Sequence, residues 1–81
     1  MDSELRARIH DLDVTVWVGK HGLESVREEV DDQLDNRDLL KVKFLRAARG
    51  GTSTEALAEQ LADDVGAELL ETRGNTAVFR R

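Results

Sequence analysis

The chain of 81 residues has no cysteine, no proline and no tyrosine, and only one tryptophan and two phenylalanines. Without cysteine, disulfides, thiolate metal sites and cysteine nucleophiles are excluded. No apolar run approaches the roughly 18–20 residues of a membrane span, and the N-terminus lacks the basic-then-apolar layout of a signal peptide. The expected address is cytoplasmic, with no membrane partner. The two histidines, His10 and His21, stand in neither HxxxH nor HExxH spacing, so no metal site is read from them. Ser3, Ser25 and Ser53 fall at predicted helix starts, where capping accounts for them. No base, nucleophile and oxyanion site come together in the sequence. Neither an enzyme nor a cofactor is expected.

What the chain does hold is 40% apolar and 36% charged residues in periodic blocks, the mark of a folded domain. Its length allows one small domain over 1–81, burying only about 60–65% of the surface its unfolded chain exposes. The formal net charge is −5, which on average opposes a nucleic-acid partner. The charge is segregated, however. Residues 24–38 carry −5 and 55–71 carry −6, whereas 39–54 carry +4 and 72–81 carry +3. The acidic blocks read as helices and the basic ones as strands and loops, so a two-faced molecule is expected.

Leu5, Ile9 and Leu12 recur at helical spacing and predict a short amphipathic helix over 3–12. Val14-Thr15-Val16-Trp17-Val18 is a β-branched strand with valines on one face and Thr15 and Trp17 on the other. After the loop Gly19-Lys20-His21-Gly22, the stripe Leu23, Val26, Val30 and Leu34 marks a second helix to about Asp35, with Ser25 and Glu28 fitting a capping box. Asn36 is the expected stop. Leu39–Leu45 is the second strand, with Leu40, Val42 and Phe44 on one face and Lys41 and Lys43 on the other. The basic loop Arg46–Gly51 ends in paired glycines, which point to mobility. Thr52 and Glu55 match S/T-x-x-E and open a third helix along Leu57, Leu61 and Val65, closed by Gly66. Ala67–Thr72 and Thr76–Arg80 are strands joined through Arg73-Gly74-Asn75. The order αβαβαββ predicts an α/β sandwich: a four-stranded mixed sheet packed by helices, with parallel pairing in the strand–helix–strand units and an antiparallel final hairpin.

Gly19-Lys20-His21-Gly22 is the most informative segment. Two glycines three apart, between a strand and a helix, allow a tight turn and close approach of a bulky partner. The helix start behind them offers free N–H groups and partial positive charge. GXXG loops clamp nucleotide backbones in KH domains, although glycines also serve plain βα turns. The loop lacks the Lys-Ser/Thr pair and length of a Walker loop. All three lysines, Lys20, Lys41 and Lys43, lie in this loop or on the second strand. Arg46 and Arg49 extend the basic patch. Trp17 is expected in the core beneath the first helix, with base stacking as the alternative.

In order and spacing, Gly19-Lys20-His21-Gly22-Leu23, then Asp38-Leu39-Leu40-Lys41-Val42-Lys43, then Arg73-Gly74-Asn75-Thr76-Ala77-Val78-Phe79-Arg80 resemble the chloroplast RNA splicing and ribosome maturation (CRM, YhbY-like) domain over nearly the whole chain. The resemblance implies the fold of the C-terminal domain of translation initiation factor three and a non-catalytic module that binds structured RNA. It implies RNA contact at Gly19, Lys20, His21 and Gly22, with Lys41 and Lys43 matching the family's KVK strand and Arg80 its closing arginine. Three departures stand out. The proline usual before the first strand is absent, Glu24 stands where threonine often follows Gly-Leu, and Phe79 replaces the usual tyrosine.

The expected function is RNA binding, with ribosomal RNA and large-subunit assembly as the setting and a monomer as the expected state. DNA is not expected as a partner. An acidic protein–protein adaptor, a factor in intron or transfer RNA processing, and a small nucleotide-binding domain are the rival readings. The acid excess, with arginine preferred to lysine, suits a cytosol of high salt, where negative charge maintains solubility. There, phosphate attraction through counterion release is weakened, and backbone hydrogen bonds from the glycine loop matter more.

Overall fold

The structure, a computed structural model, describes residues 2–81. Three α-helices, α1 (Ser3–Asp11), α2 (Arg27–Asn36) and α3 (Thr54–Val65), alternate with four strands, β1 (Val14–Val18), β2 (Leu40–Phe44), β3 (Glu68–Arg73) and β4 (Thr76–Arg80). The sheet order is β1-β2-β4-β3, with β1 parallel to β2 and the other two pairings antiparallel. The expected mixed sheet and closing hairpin are thus both present. The crossover through α3 sets β3 one strand away from β2, and β4 turns back into the gap.

Period-two alternation decides what each sheet face carries. Val16 and Val18 of β1, Leu40, Val42 and Phe44 of β2, and Ala77 and Phe79 of β4 form one apolar face. Val30 and Leu34 of α2 and Ala58, Leu61, Ala62 and Val65 of α3 close over it. The second face is only partly covered. There α1 lays Ile9 on Leu39 and Val78, with Leu5, Leu12 and Leu70 around them. Each fully buried branched side chain in such a cluster contributes about 1.5–3 kcal/mol, so a three-residue contact fixes α1 over one part of the face only.

The helix ends follow local chemistry, with two departures from expectation. Asp2 caps α1 by accepting from Leu5 N at 2.7 Å. At α3 the cap is Ser53, which accepts from Ala56 N at 3.1 Å, rather than Thr52. Thr52 is held in the preceding turn, its N–H donating to the Arg49 carbonyl at 3.1 Å. The Ser25–Glu28 box does not form either. Leu23–Ser25 make a 3-10 turn, the Ser25 hydroxyl donates back to the Gly22 carbonyl at 2.8 Å, and α2 starts at Arg27 without a side-chain cap. Glu28 and Glu29 in its first turn instead complement the helix dipole. Asn36 ends α2 as expected, its side-chain amide donating to the Asp32 carbonyl at 2.9 Å. Gly66 closes α3 in the left-handed region at φ 65°.

Arg81 ties the end of β4 to both helices of the core face. Its guanidinium donates to the Asp31 carboxylate, to Asp35 at 2.7 Å and to the Val65 carbonyl at 2.6 Å. The hydrogen bond that Arg81 donates to the Asp31 carboxylate raises the Arg81 pKa above its usual value. A raised cationic pKa stabilises the fold fully below the unfolded value and is lost only above it. The contact therefore persists through neutral pH.

Candidate nucleic-acid interface

Because β1 and β2 are parallel, their C-terminal ends and the loops that follow lie at one edge of the sheet. Leu45 N donates to the Val18 carbonyl at 2.8 Å, and Phe44 N to the Asn75 carbonyl at 2.7 Å. Three connections are brought side by side in this way: Gly19–Gly22, Leu45–Gly51 and the Gly74–Asn75 turn. Both α2 and α3 begin at the same edge, as the chain direction requires, so their positive dipole ends point there.

The first loop is a closed turn, with Gly22 N donating to the Gly19 carbonyl at 3.0 Å. Gly22 has φ 74° and ψ −170°, a region open in practice to glycine alone. Gly19 has no such constraint, and a Cβ there would sit 4.0 Å from Leu45 Cδ1, at ordinary contact distance. Lys20 and His21 project from the turn and are exposed, while Leu23 is buried behind them. The loop is thereby anchored on the core at its helix side and leaves a cation and an imidazole in solvent. Glu24 is exposed just beyond it, the one acid adjoining the loop.

The second loop is a series of turns, with Ala48 N donating to Leu45 O at 2.9 Å and Arg49 N to Arg46 O at 3.1 Å. Arg46 is exposed. Arg49 is partly engaged within the chain, its Nε donating to the Phe44 carbonyl at 3.1 Å.

Lys41 and Lys43 lie half-buried on the second sheet face. Lys43 is in register with Trp17 on one side and Thr76 on the other, and Thr76 with Arg73. Trp17 departs from its expected place beneath α1. It is 53% exposed, because α1 rests on Leu39 and Val78 and leaves the β1 side of the face open. Arg73 escaped notice in the sequence because only the hairpin register aligns it with Lys43. Arg80 is not brought to this group. It lies at the opposite end of β4 and pairs with Glu68 at 2.7 Å.

The ion pairs among the described residues engage Arg8, Arg27, Arg80 and Arg81. Lys20, Lys41, Lys43, Arg46 and Arg73 are in none of them. The acids Glu28, Glu29, Asp31, Asp32 and Asp35 of α2, with Glu55, Glu59, Asp63 and Asp64 of α3, are exposed on the side that covers the other face. The sheet thus separates this acidic surface from Lys41, Lys43 and Arg73 on the second face, while Lys20 and Arg46 lie at the loop edge where the two helices begin. Asp31, Asp32 and Asp35 bring carboxylates within 4.8 Å of one another, but Arg81 already neutralises two of them.

The hydroxyls serve structure. Ser53 caps α3, Ser25 bonds to Gly22, Thr76 donates to the Arg73 carbonyl at 2.9 Å, and Thr15 donates to Gln33 Oε1 at 2.7 Å. No helix among the described residues is long and apolar enough to cross a membrane.

Residues 2–81 match the CRS1 / YhbY (CRM) domain family. The chain belongs to this family. It is 42% identical, over all 81 of its residues, to a protein of Methanocaldococcus jannaschii named as a probable RNA-binding protein, and it spans 60% of that relative's length. The solution structure of a hypothetical Staphylococcus aureus protein, described as a candidate RNA binder, superposes with a TM-score of 0.76 at 33% identity, covering 96% of this chain and 80% of that one. In this CRM domain the loop edge, with Lys20, His21 and Arg46 exposed around a glycine turn, is the surface whose geometry suits a polyanion.

Proposed function

We propose that this CRM domain is a non-catalytic RNA-binding module whose target is ribosomal RNA during assembly of the large subunit. The observation that carries the reading is the convergence of the Gly19–Gly22 turn and the Arg46 loop at one sheet edge, beside cations that no acid pairs. A glycine turn lets a phosphodiester backbone approach closely, and cations around it neutralise phosphates. The names of the archaeal and staphylococcal relatives support the same chemistry. Shape and backbone contacts are the means, because structured RNA hides its base edges within a deep groove.

Ultraviolet crosslinking in the native cells at native salt, followed by sequencing of the attached RNA, tests the target. Enrichment of precursor RNA of the large subunit is the expected result. Enrichment of introns or transfer RNA would keep the binding mode and overturn the ribosomal target. Absence of crosslinked RNA above background would overturn both and favour the acidic α2–α3 surface as an adaptor for a basic protein.

A further inference from the structure

We propose that the open part of the second sheet face stacks an unpaired RNA base, with Trp17 as the platform. The inference rests on the RNA-binding reading above and adds a class of ligand to it: nucleotides outside a duplex. Both phenylalanines are fully buried, whereas Trp17, the chain's sole tryptophan, is 53% exposed. It is therefore the one exposed ring larger than an imidazole, and the only one fixed on the sheet face. It also belongs to a strand, which holds its Cα in a fixed register with Lys43.

The row Trp17, Lys43, Thr76, Arg73 crosses all four strands. Neighbouring strands lie about 4.8 Å apart, so the row runs roughly 14 Å from indole to guanidinium. Gly19, where the basic loop starts, follows Trp17 by only two positions, so a strand bound at the loop has the face within reach.

The chemistry of the neighbours selects the partner. An apolar protein partner would require a contiguous exposed apolar patch, yet Trp17 has Lys43 in register beside it and Lys41 and Thr76 on the same face. Val14 beside Lys41 is half-buried, and Leu45 is the other large apolar side chain exposed among the described residues. One aromatic ring among unpaired cations instead fits a base on the ring and phosphates on the cations. A duplex keeps its bases stacked on one another, so the ring engages only those that are splayed out. The four-stranded sheets of RRM domains stack two or three bases by similar means. Here a single ring provides for one base, beside a loop that takes backbone.

Titration with an oligouridine of about ten nucleotides, and with a duplex RNA of equal length, tests the proposal. Trp17 emission reports on this site alone. Saturable quenching by the oligouridine but not by the duplex is expected. Trp17→Ala should weaken oligouridine binding about 5- to 150-fold, the range that stacking of one base supplies. Duplex affinity should change less than about twofold, since no base leaves the duplex stack. Trp17→Phe should recover most of the loss and guards against a folding artefact. Oligouridine binding with unchanged emission and equal affinity for Trp17→Ala would overturn the stacking site while leaving RNA binding intact. Failure of both RNAs to bind the unmodified chain would overturn both readings. Shielding of Trp17 from acrylamide that grows with protein concentration, without RNA, would seat a second copy on the face and overturn the site.

Discussion

Charge reversal at Lys20 and Lys43 together, as Lys20→Glu with Lys43→Glu, is expected to lower RNA affinity about 10- to 100-fold, the loss of one or two charge-assisted contacts. Lys20 is exposed on the glycine turn and Lys43 is half-buried on the adjoining face. Neither is held by an acid within the chain, so the reversal breaks no internal ion pair. The thermal midpoint should therefore move little. Each cation that neutralises a phosphate also releases a counterion. The slope of log K against log salt should become shallower by roughly 1.5 when two such cations are removed. Fluorescence anisotropy at two salt concentrations measures both quantities. Glu28→Lys on the outer surface of α2 is the control, and it should not weaken binding. Equal affinity of the double variant and the unmodified chain would contradict the assignment of the loop edge.

The second large effect is on stability, and it separates the two glycines of the turn. Gly22→Ala is expected to destabilise the fold by about 1–3 kcal/mol, because φ 74° with ψ −170° is closed to side-chain-bearing residues. For a domain of this size that amounts to a fall in midpoint of roughly 5–20 °C. The cause is backbone strain and not collision, since a Cβ on Gly22 meets nothing within 4 Å. Gly19→Ala should change the midpoint only slightly. Its Cβ would meet Leu45 Cδ1 at 4.0 Å, and its φ is not positive. Thermal unfolding followed by circular dichroism checks the pair. A Gly22→Ala protein as stable as Gly19→Ala would show that the turn has another conformation. Gly22→Asp, a natural choice for an acidic probe of the loop, would carry the same strain, so Lys20 is the cleaner place to test charge.

Much of this architecture was readable because hydrophobic spacing switches cleanly along the chain. Alternation in Leu40-Lys41-Val42-Lys43-Phe44 defines a strand and its two faces, and the Leu57, Leu61, Val65 stripe defines α3 and its buried side. Glycine and asparagine in the Gly74–Asn75 turn bring the last two strands together. Helix starts were less legible. Ser25 and Glu28 have the spacing of a capping box, but the backbone leaves Gly22 through a 3-10 turn that places the Ser25 hydroxyl on the Gly22 carbonyl instead. Alternation also assigned Trp17 to the face opposite the valines but could not say which part of that face α1 covers. That is decided in three dimensions by Ile9 resting on Leu39 and Val78.

The candidate site divides along the same line. Its loop residues follow one another in sequence, and lysine placement marked Lys41 and Lys43. The company they keep depends on register. Arg73 joins the row through its pairing with Thr76, whereas Arg80, on the same strand face as Thr76, is carried to the far end. Arg49 is basic in sequence but is partly spent on the Phe44 carbonyl. A composition of net charge −5 conceals all of this. The sheet itself keeps the acids of α2 and α3 away from Lys41, Lys43 and Arg73.

The most direct test is a residue-by-residue map of amide chemical-shift changes in the isotope-labelled protein as a structured ribosomal RNA fragment is added. Changes concentrated in Gly19–Gly22, in Leu45–Gly51 and at Gly74–Asn75 are the predicted result, with the exposed amides of α2 and α3 remaining in place. Changes confined to the acidic outer surfaces of α2 and α3, or none at any RNA concentration, would contradict the account.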